Sequence, residues 1–213
     1  MSRILLLLLL SSQFLLATFS GIITPGIVLK QNLDTTVSHT VSANLLMILR
    51  YNDFAFEGNR LSYNLGSVLN TTIAPVIKIE QEDKIIESGL QLTHKIAFDH
   101  FIQLNTFFDT SNTHSGYQIE LMLFKRFNPN NKLFLLPSLA LQYDNADRFS
   151  YLYDVSQNSL NLEFELLTIY DITPSWNLAS TFFVNYYDEK ILTNLTFDRQ
   201  LIYRLSLGLG YTF

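Results

Sequence analysis

The last eleven residues, Tyr203 to Phe213, read Y-R-L-S-L-G-L-G-Y-T-F. Odd positions carry Tyr203, Leu205, Leu207, Leu209, Tyr211 and Phe213, and even positions carry Arg204, Ser206, Gly208, Gly210 and Thr212. Side chains on a strand alternate faces, so one face of this stretch is wholly apolar and the other polar or small. An aromatic bounds the apolar face at each end, which suits the two interfaces of a bilayer. A soluble sandwich rarely ends on a bare aromatic such as Phe213. The stretch therefore predicts an outer-membrane barrel in preference to a soluble β-sandwich.

The N-terminus points the same way. Met1-Ser2-Arg3 gives a short positive start, and Ile4 to Leu10 is an unbroken apolar run. A softer apolar stretch follows from Phe14 to Ala17, and Thr18-Phe19-Ser20 places small residues at the minus-three and minus-one positions. That is the layout of a secretory signal peptide, with a cut expected after Ser20 and residues 1–20 removed. A membrane anchor is the other reading, but Ser11, Ser12 and Gln13 interrupt a run that needs roughly 20 apolar residues. With no cysteine in the chain, a lipidated N-terminus, a disulfide framework and thiolate metal sites are excluded. Beyond the signal no stretch approaches a membrane helix, so a membrane location requires a closed barrel.

Composition narrows the class. Charged residues make up 15%, well below the roughly 25% of soluble domains. Aromatics reach 14%, with 17 Phe and 11 Tyr against one Trp, as lipid-facing strands with amphipathic rims require. A net charge of −5, without a Lys/Arg cluster, argues against nucleic acid.

Strand-like runs and turn-like clusters alternate along the chain. Residues 21–40, with Pro25 and the polar run from Gln31 to Thr36, lack clear periodicity and read as a periplasmic lead-in, a short plug or a half-strand. The barrel domain is expected over 41–213. Its runs are 41–51, 54–65, 72–80, 88–98, 101–108, 116–127, 132–143, 160–171, 176–187 and 203–213. In the second, the apolar phase changes near Gly58 (Phe54 and Phe56, then Leu61, Tyr63 and Leu65), as a β-bulge would make it. The count is about ten strands, each near the roughly 9–11 residues of a tilted membrane strand. Short turns at 52–53, 128–131 and 173–175 alternate with longer loops at 109–114, 144–157 and 188–200, the asymmetry between the periplasmic and outer ends of such barrels. The expected fold is thus all-β, an antiparallel up-and-down transmembrane barrel in one domain.

Several stretches, in order and spacing, resemble the MipA/OmpV family of outer-membrane proteins. These are Leu49 to Gly58 followed by Leu61 to Leu65, and Leu136 to Tyr143 running into Tyr151 to Val155. Thr173 to Leu178 and Gly208 to Phe213 complete the set. The resemblance covers roughly residues 44 to 213. It departs from the family pattern at Asp154, where glycine is usual, and at Asn194 to Asp198. What it implies is a scaffold role: the namesake is an adaptor between a lytic transglycosylase and a peptidoglycan synthase, and other members are linked to osmotic adaptation, adhesion or porin-like behaviour.

The titratable clusters carry weak signals for chemistry. His94 shares a phase with Ser88, Leu90 and Leu92, which places it on the lipid side or rim; His100 and His114 fall in turn-like segments. A pairing of His114 with Ser111 or Ser115 carries little information where serine is common, and nucleophilic catalysis needs a third group within reach. Glu163 and Glu165 lie on one inward face, a phase shared on their own strands by Glu120, Arg126, Arg204 and Lys95. Paired carboxylates serve acid–base work or bind cations, but a charge network filling a narrow lumen is the plainer reading. Asp144, Asn145, Asp147 and Asp154 lack the spacing and glycine of a calcium loop. The sequence names no catalytic, cofactor or metal residue. The expectation is a non-enzymatic scaffold touching outer-membrane lipid and lipopolysaccharide, with the transglycosylase and synthase as implied partners and no nucleic acid. A small-solute pore is the alternative, and an outer-membrane hydrolase the third class. Inward Met122 and Phe124 favour a mostly filled lumen.

Overall fold

A computed structural model describes residues 19–33, 38–80 and 85–213. The stretch expected as a signal peptide lies outside the described residues up to position 18. Phe19 and Ser20 are the first rungs of a strand, paired with Tyr51 and Arg50. In chain order the strands are β1 (Phe19–Gln31), β2 (His39–Tyr51), β3 (Phe54–Glu57), β4 (Arg60–Tyr63), β5 (Gly66–Val68), β6 (Thr71–Glu80) and β7 (Ile85–Ala97). They continue with β8 (His100–Asp109), β9 (Tyr117–Lys125), β10 (Phe127–Asn130), β11 (Leu133–Asp144), β12 (Ser159–Asp171), β13 (Trp176–Tyr186) and β14 (Leu201–Thr212). Among the described residues an α-helix, α1 (Ala146–Tyr153), and a 3-10 helix over Glu189–Thr193 sit in loops.

All pairing is antiparallel. β1 pairs β14, and β9 pairs β11 past the short β10, so the sheet closes on itself. Twelve strands form the ring, with β5 and β10 outside it. Where the ring is paired, closure removes the sheet edges that hydrocarbon does not tolerate.

The difference from ten strands has two sources. Where they are described, residues 21–40 are mostly wall and not a periplasmic lead-in: all of 21–31 belongs to β1 and 39–40 to β2, while 34–37 lie outside the described residues. Pro25 and Gly26 obscured its alternation, yet thirteen successive residues of β1 pair with β2. The second source is Gly58, which marks a hairpin, not a bulge. Glu57 pairs Arg60 across Gly58 and Asn59, with Gly58 in the left-handed region at φ 64. A two-residue reversal and a one-residue bulge both switch the apolar face from even to odd positions. Phase alone cannot tell them apart.

The tight turns at Asn52-Asp53 and Phe98-Asp99 and the 172–175 turn gather at the end holding Phe19 and Phe213; Asn52, Phe98 and Asp99 take positive φ there. The long connections 110–116, 145–158 and 187–200 lie at the opposite end. Short turns face the periplasm in such barrels, so the long loops form the outer mouth.

The seam between first and last strands is unusually close. A Cβ at Gly208 would lie 2.5 Å from the Pro25 carbonyl oxygen, and one at Gly210 would lie 2.3 Å from Thr24 Oγ1 and 2.4 Å from Asn177 Oδ1. Both glycines face inward, so β14 is small on its inner face because β1 leaves no room. We expect Gly208→Val to cost about 1–3 kcal/mol through overpacking. The fraction refolded in detergent micelles, read by electrophoretic mobility without heating, checks this.

Candidate functional site: a layered, capped lumen

Alternation sends one side chain in two into the barrel, and these inward residues are sorted by height. Nearest the periplasm the layer is apolar. Leu167, Ile169 and Ala179 are buried together, with Ile22, Leu46, Ile48, Phe134 and Leu136 packed against them. On the opposite wall Phe101 and Phe124 stack at 5.0 Å, with the Arg126 guanidinium 4.9 Å over Phe101.

Above this lies a charged layer centred on fully buried Glu120. Arg60 grips it with both terminal nitrogens at 2.9 Å, and Asn105 donates at 2.6 Å. Gln142 donates to Glu120 at 3.2 Å and to Glu163 at 2.7 Å, joining the two carboxylates. The buried ring of Phe107 carries Arg60 and Lys78 at 5.2 and 5.1 Å from its centroid. Such an arrangement satisfies a buried carboxylate with charge-assisted bonds instead of leaving it free to react.

A cap covers part of the outer mouth. The stretch 144–157, read from sequence as a solvated loop, holds α1: Asn145 is the N-cap and accepts from Arg148 N, and Asp154 ends the helix at φ 56. Arg148 points down into the barrel, where its side chain is 3% exposed. It donates to Asp144 at 2.6 Å, Glu87 at 2.7 Å and Glu80 at 3.0 Å, tying the helix to β11, β7 and β6. Burial alone would lower the basicity of Arg148, but Asp144 and Glu87 outweigh it and raise it. Lys78 supplies a second cation, 2.5 Å from Glu80 and 3.4 Å from Glu87. Over this latch Phe149, Val155, Tyr187, Ile191 and Ile202 form a buried apolar cluster, with Tyr153 and Phe197 against it. The cap thus joins the 145–158 and 187–200 loops.

The residues singled out from the sequence fall as follows. Glu163 and Glu165 do face inward, but Glu163 bonds Gln142 while Glu165 has the inward Phe183 as its cross-strand neighbour, under the Arg204 guanidinium 4.4 Å from that ring. Lys95 and Arg126 lie on the same face near the periplasmic end, and Lys95 bonds Asp99 at 3.0 Å. His94 is outward and bonds Thr71 Oγ1. Asp109 takes up Ser111 Oγ at 2.6 Å and the His114 backbone N at 2.6 Å, so Ser111 faces a carboxylate and not an imidazole. The His114 ring is buried beside Tyr151, its Nε2 3.8 Å from Glu87 Oε1. Among the described residues no three His, Cys, Asp or Glu side chains are grouped to hold a metal ion.

Sequence reading missed Arg60, Lys78, Glu80, Glu87 and Arg148. The inward run Ala74, Val76, Lys78 and Glu80 was legible as an alternation, and Asn145 before Ala146-Asp147 was a capping signal for α1.

No protein-family model matches the chain, and no curated protein does. Solved structures do. The NanC porin aligns over 88% of this chain and 98% of its own at 11% identity and TM-score 0.53. Together with the closed ring, the apolar outer face and the uneven ends, this decides the class. The chain is an outer-membrane β-barrel. OmpT of Vibrio cholerae aligns over 92% of this barrel and 99% of its own chain, at 6% identity and TM-score 0.43. The anion-selective porin from Comamonas acidovorans covers the same 92%, and 99% of its own chain, at 8% identity and TM-score 0.41. At these identities the likeness is one of fold.

Proposed function

We propose that this barrel is a non-enzymatic structural or scaffold protein of the MipA/OmpV type, serving the envelope and its peptidoglycan machinery from the periplasmic face. The observation that carries this reading is the occupied lumen. An apolar layer, a bonded charged layer and a latched cap lie in series where an open pore would need water. Scaffolding then falls to the exposed turns. At the periplasmic end Leu69 and Phe98 each stand 89% exposed at positive-φ turn positions, apolar tips that a partner can cover. Crosslinked envelopes, with peptidoglycan enzymes scored against a control barrel, test it. Enrichment of a lytic transglycosylase or a synthase is the expected result, reduced by Phe98→Ser with Leu69→Ser. Equal recovery from the control barrel would sink it.

A small-solute pore is the second reading, favoured by the fold shared with the NanC porin. Planar-bilayer recording separates the two. The scaffold reading expects no unitary steps from the wild-type barrel, and steady steps would transfer the assignment to a channel.

A further inference from the structure

The ring of twelve strands is not closed at every height. β3 pairs β2 only over residues 48–51. The tip of the β3–β4 hairpin then ends the wall, with Gly58 N on Met47 O at 2.8 Å and Ile79 N on Asn59 O at 2.9 Å. Above that tip β2 continues through 39–46, held by β1 along one edge. Among the described residues nothing bonds its other edge. The N–H and C=O of one strand residue point to the same side, and Met47 O points toward the hairpin. Leu45, Ala43, Val41 and His39 therefore aim their backbone groups into a notch. Both faces of this segment are exposed: Thr40 and Ser42 toward the lumen, Val41 (71%) toward the outside. Its depth follows from the ladder. Ala43 pairs Ile27, and Ile27 pairs Leu207, the midpoint of the lipid-facing run on β14. An unpaired backbone edge at that depth is costly, because lipid offers no hydrogen bonds.

We propose that the 39–46 edge of β2 is a strand-addition site that takes one extended segment of a partner polypeptide. Its regular spacing of donors and acceptors is what an extended backbone matches and an acyl chain cannot. A second copy of the barrel does not fit, since the notch replaces two strand positions, roughly 14 Å at the usual strand spacing. Residues 39–46 carry none of the guards that protect natural edges: no lysine, no proline, no bulge. Alternation specifies the guest. It is apolar beside Val41, Ala43 and Leu45, and small or polar and uncharged beside Thr40, Ser42 and Asn44. The hairpin tip blocks the notch from below, so the guest enters from the outer mouth. This site lies on the wall and is independent of the periplasmic scaffold reading.

The test uses the full barrel in phospholipid bicelles, with amide hydrogen exchange resolved by residue. The probe is a synthetic uncharged peptide, Val-Thr-Val-Ser-Leu-Thr-Val-Ser, and its control is the same peptide N-methylated at alternate positions. Amides of Thr40, Ser42 and Asn44, which face β1, exchange slowly throughout. The peptide is expected to slow exchange at Val41, Ala43 and Leu45 at least tenfold, and the methylated control to leave it unchanged. Ala43→Pro removes a donor on the open edge only, so it keeps the fold and loses the protection at Val41 and Leu45. Slow exchange at the three amides without peptide would show an edge already shielded from water, with no protection left for a guest strand to add. Fast exchange indifferent to the peptide would show a water-filled opening. Either result overturns the proposal.

Discussion

Arg148→Met is expected to free the cap while leaving the barrel wall assembled. The substitution keeps most of the side-chain volume but removes the charge that three carboxylates share. Glu87 and Asp144 are almost fully buried and Glu80 is 23% exposed. Lys78 remains, but one cation cannot bond all three. Breaking a buried ion pair from one side costs about 3–5 kcal/mol, because the partner charge is left without compensation; the partial exposure of Glu80 places this site near the lower figure. The loss falls on α1 first, since Arg148 is the tie between that helix and β6, β7 and β11. Limited proteolysis checks it: the 145–158 connection becomes a cleavage site in the variant and stays intact in the wild type, while the cold electrophoretic mobility of the folded barrel is unchanged. Arg148→Lys keeps a charge without the three-way reach and falls between the two. Equal protease resistance in wild type and Arg148→Met would show that the apolar cluster of Phe149, Val155, Tyr187, Ile191 and Ile202 holds the cap alone.

The second large effect is expected at Leu207. It lies in the middle of the β14 apolar run, is 47% exposed and points outward, with Ser206 on the neighbouring inward face buried. An arginine at the midplane of a lipid-facing strand costs about 2–4 kcal/mol. Leu207→Arg should therefore lower the unfolding free energy in phospholipid vesicles by that amount, and with it the folding yield and the urea midpoint. Ser206→Arg, one residue away, is a contrasting variant: it fails by collision with Thr181, whose Oγ1 lies 2.5 Å from Ser206 Oγ, and its defect persists in detergents of any chain length. A wild-type urea midpoint for Leu207→Arg would contradict the facing.

The charged layer shows why a pair of carboxylates two residues apart is weak evidence for chemistry. Glu163 and Glu165 have the spacing of an acid–base pair, yet each is drawn toward different neighbours on the adjoining strands. Inside a closed barrel away from water, buried polar side chains remain only where they bond one another. Glu120 meets this condition through Arg60, Asn105 and Gln142.

What the sequence determined by itself is everything set by a period of two and by local turn chemistry. The alternation of Tyr203 to Phe213, of Tyr117 to Phe124 and of Leu160 to Leu166 fixed which side chains meet lipid, because a strand cannot turn one residue without turning all of them. Asn52-Asp53 and Thr173-Pro174-Ser175 located reversals, and the difference in connection lengths told the periplasmic end from the outer one. Tertiary structure decided the remainder. That residues 21–31 are wall and not lead-in depends on β14, more than 170 residues away, coming close enough over Gly26, Gly208 and Gly210 to pair with them. That Gly58 reverses the chain, where a bulge would only have bent it, depends on Arg60 lying opposite Glu57, since both geometries leave the same hydrophobic phase. And that a polar loop folds into a cap depends on Arg148 finding Glu80, Glu87 and Asp144, carboxylates on three separate strands. Local sequence specifies the direction in which a side chain points, whereas the partner it meets is set by which strands the closed ring brings together.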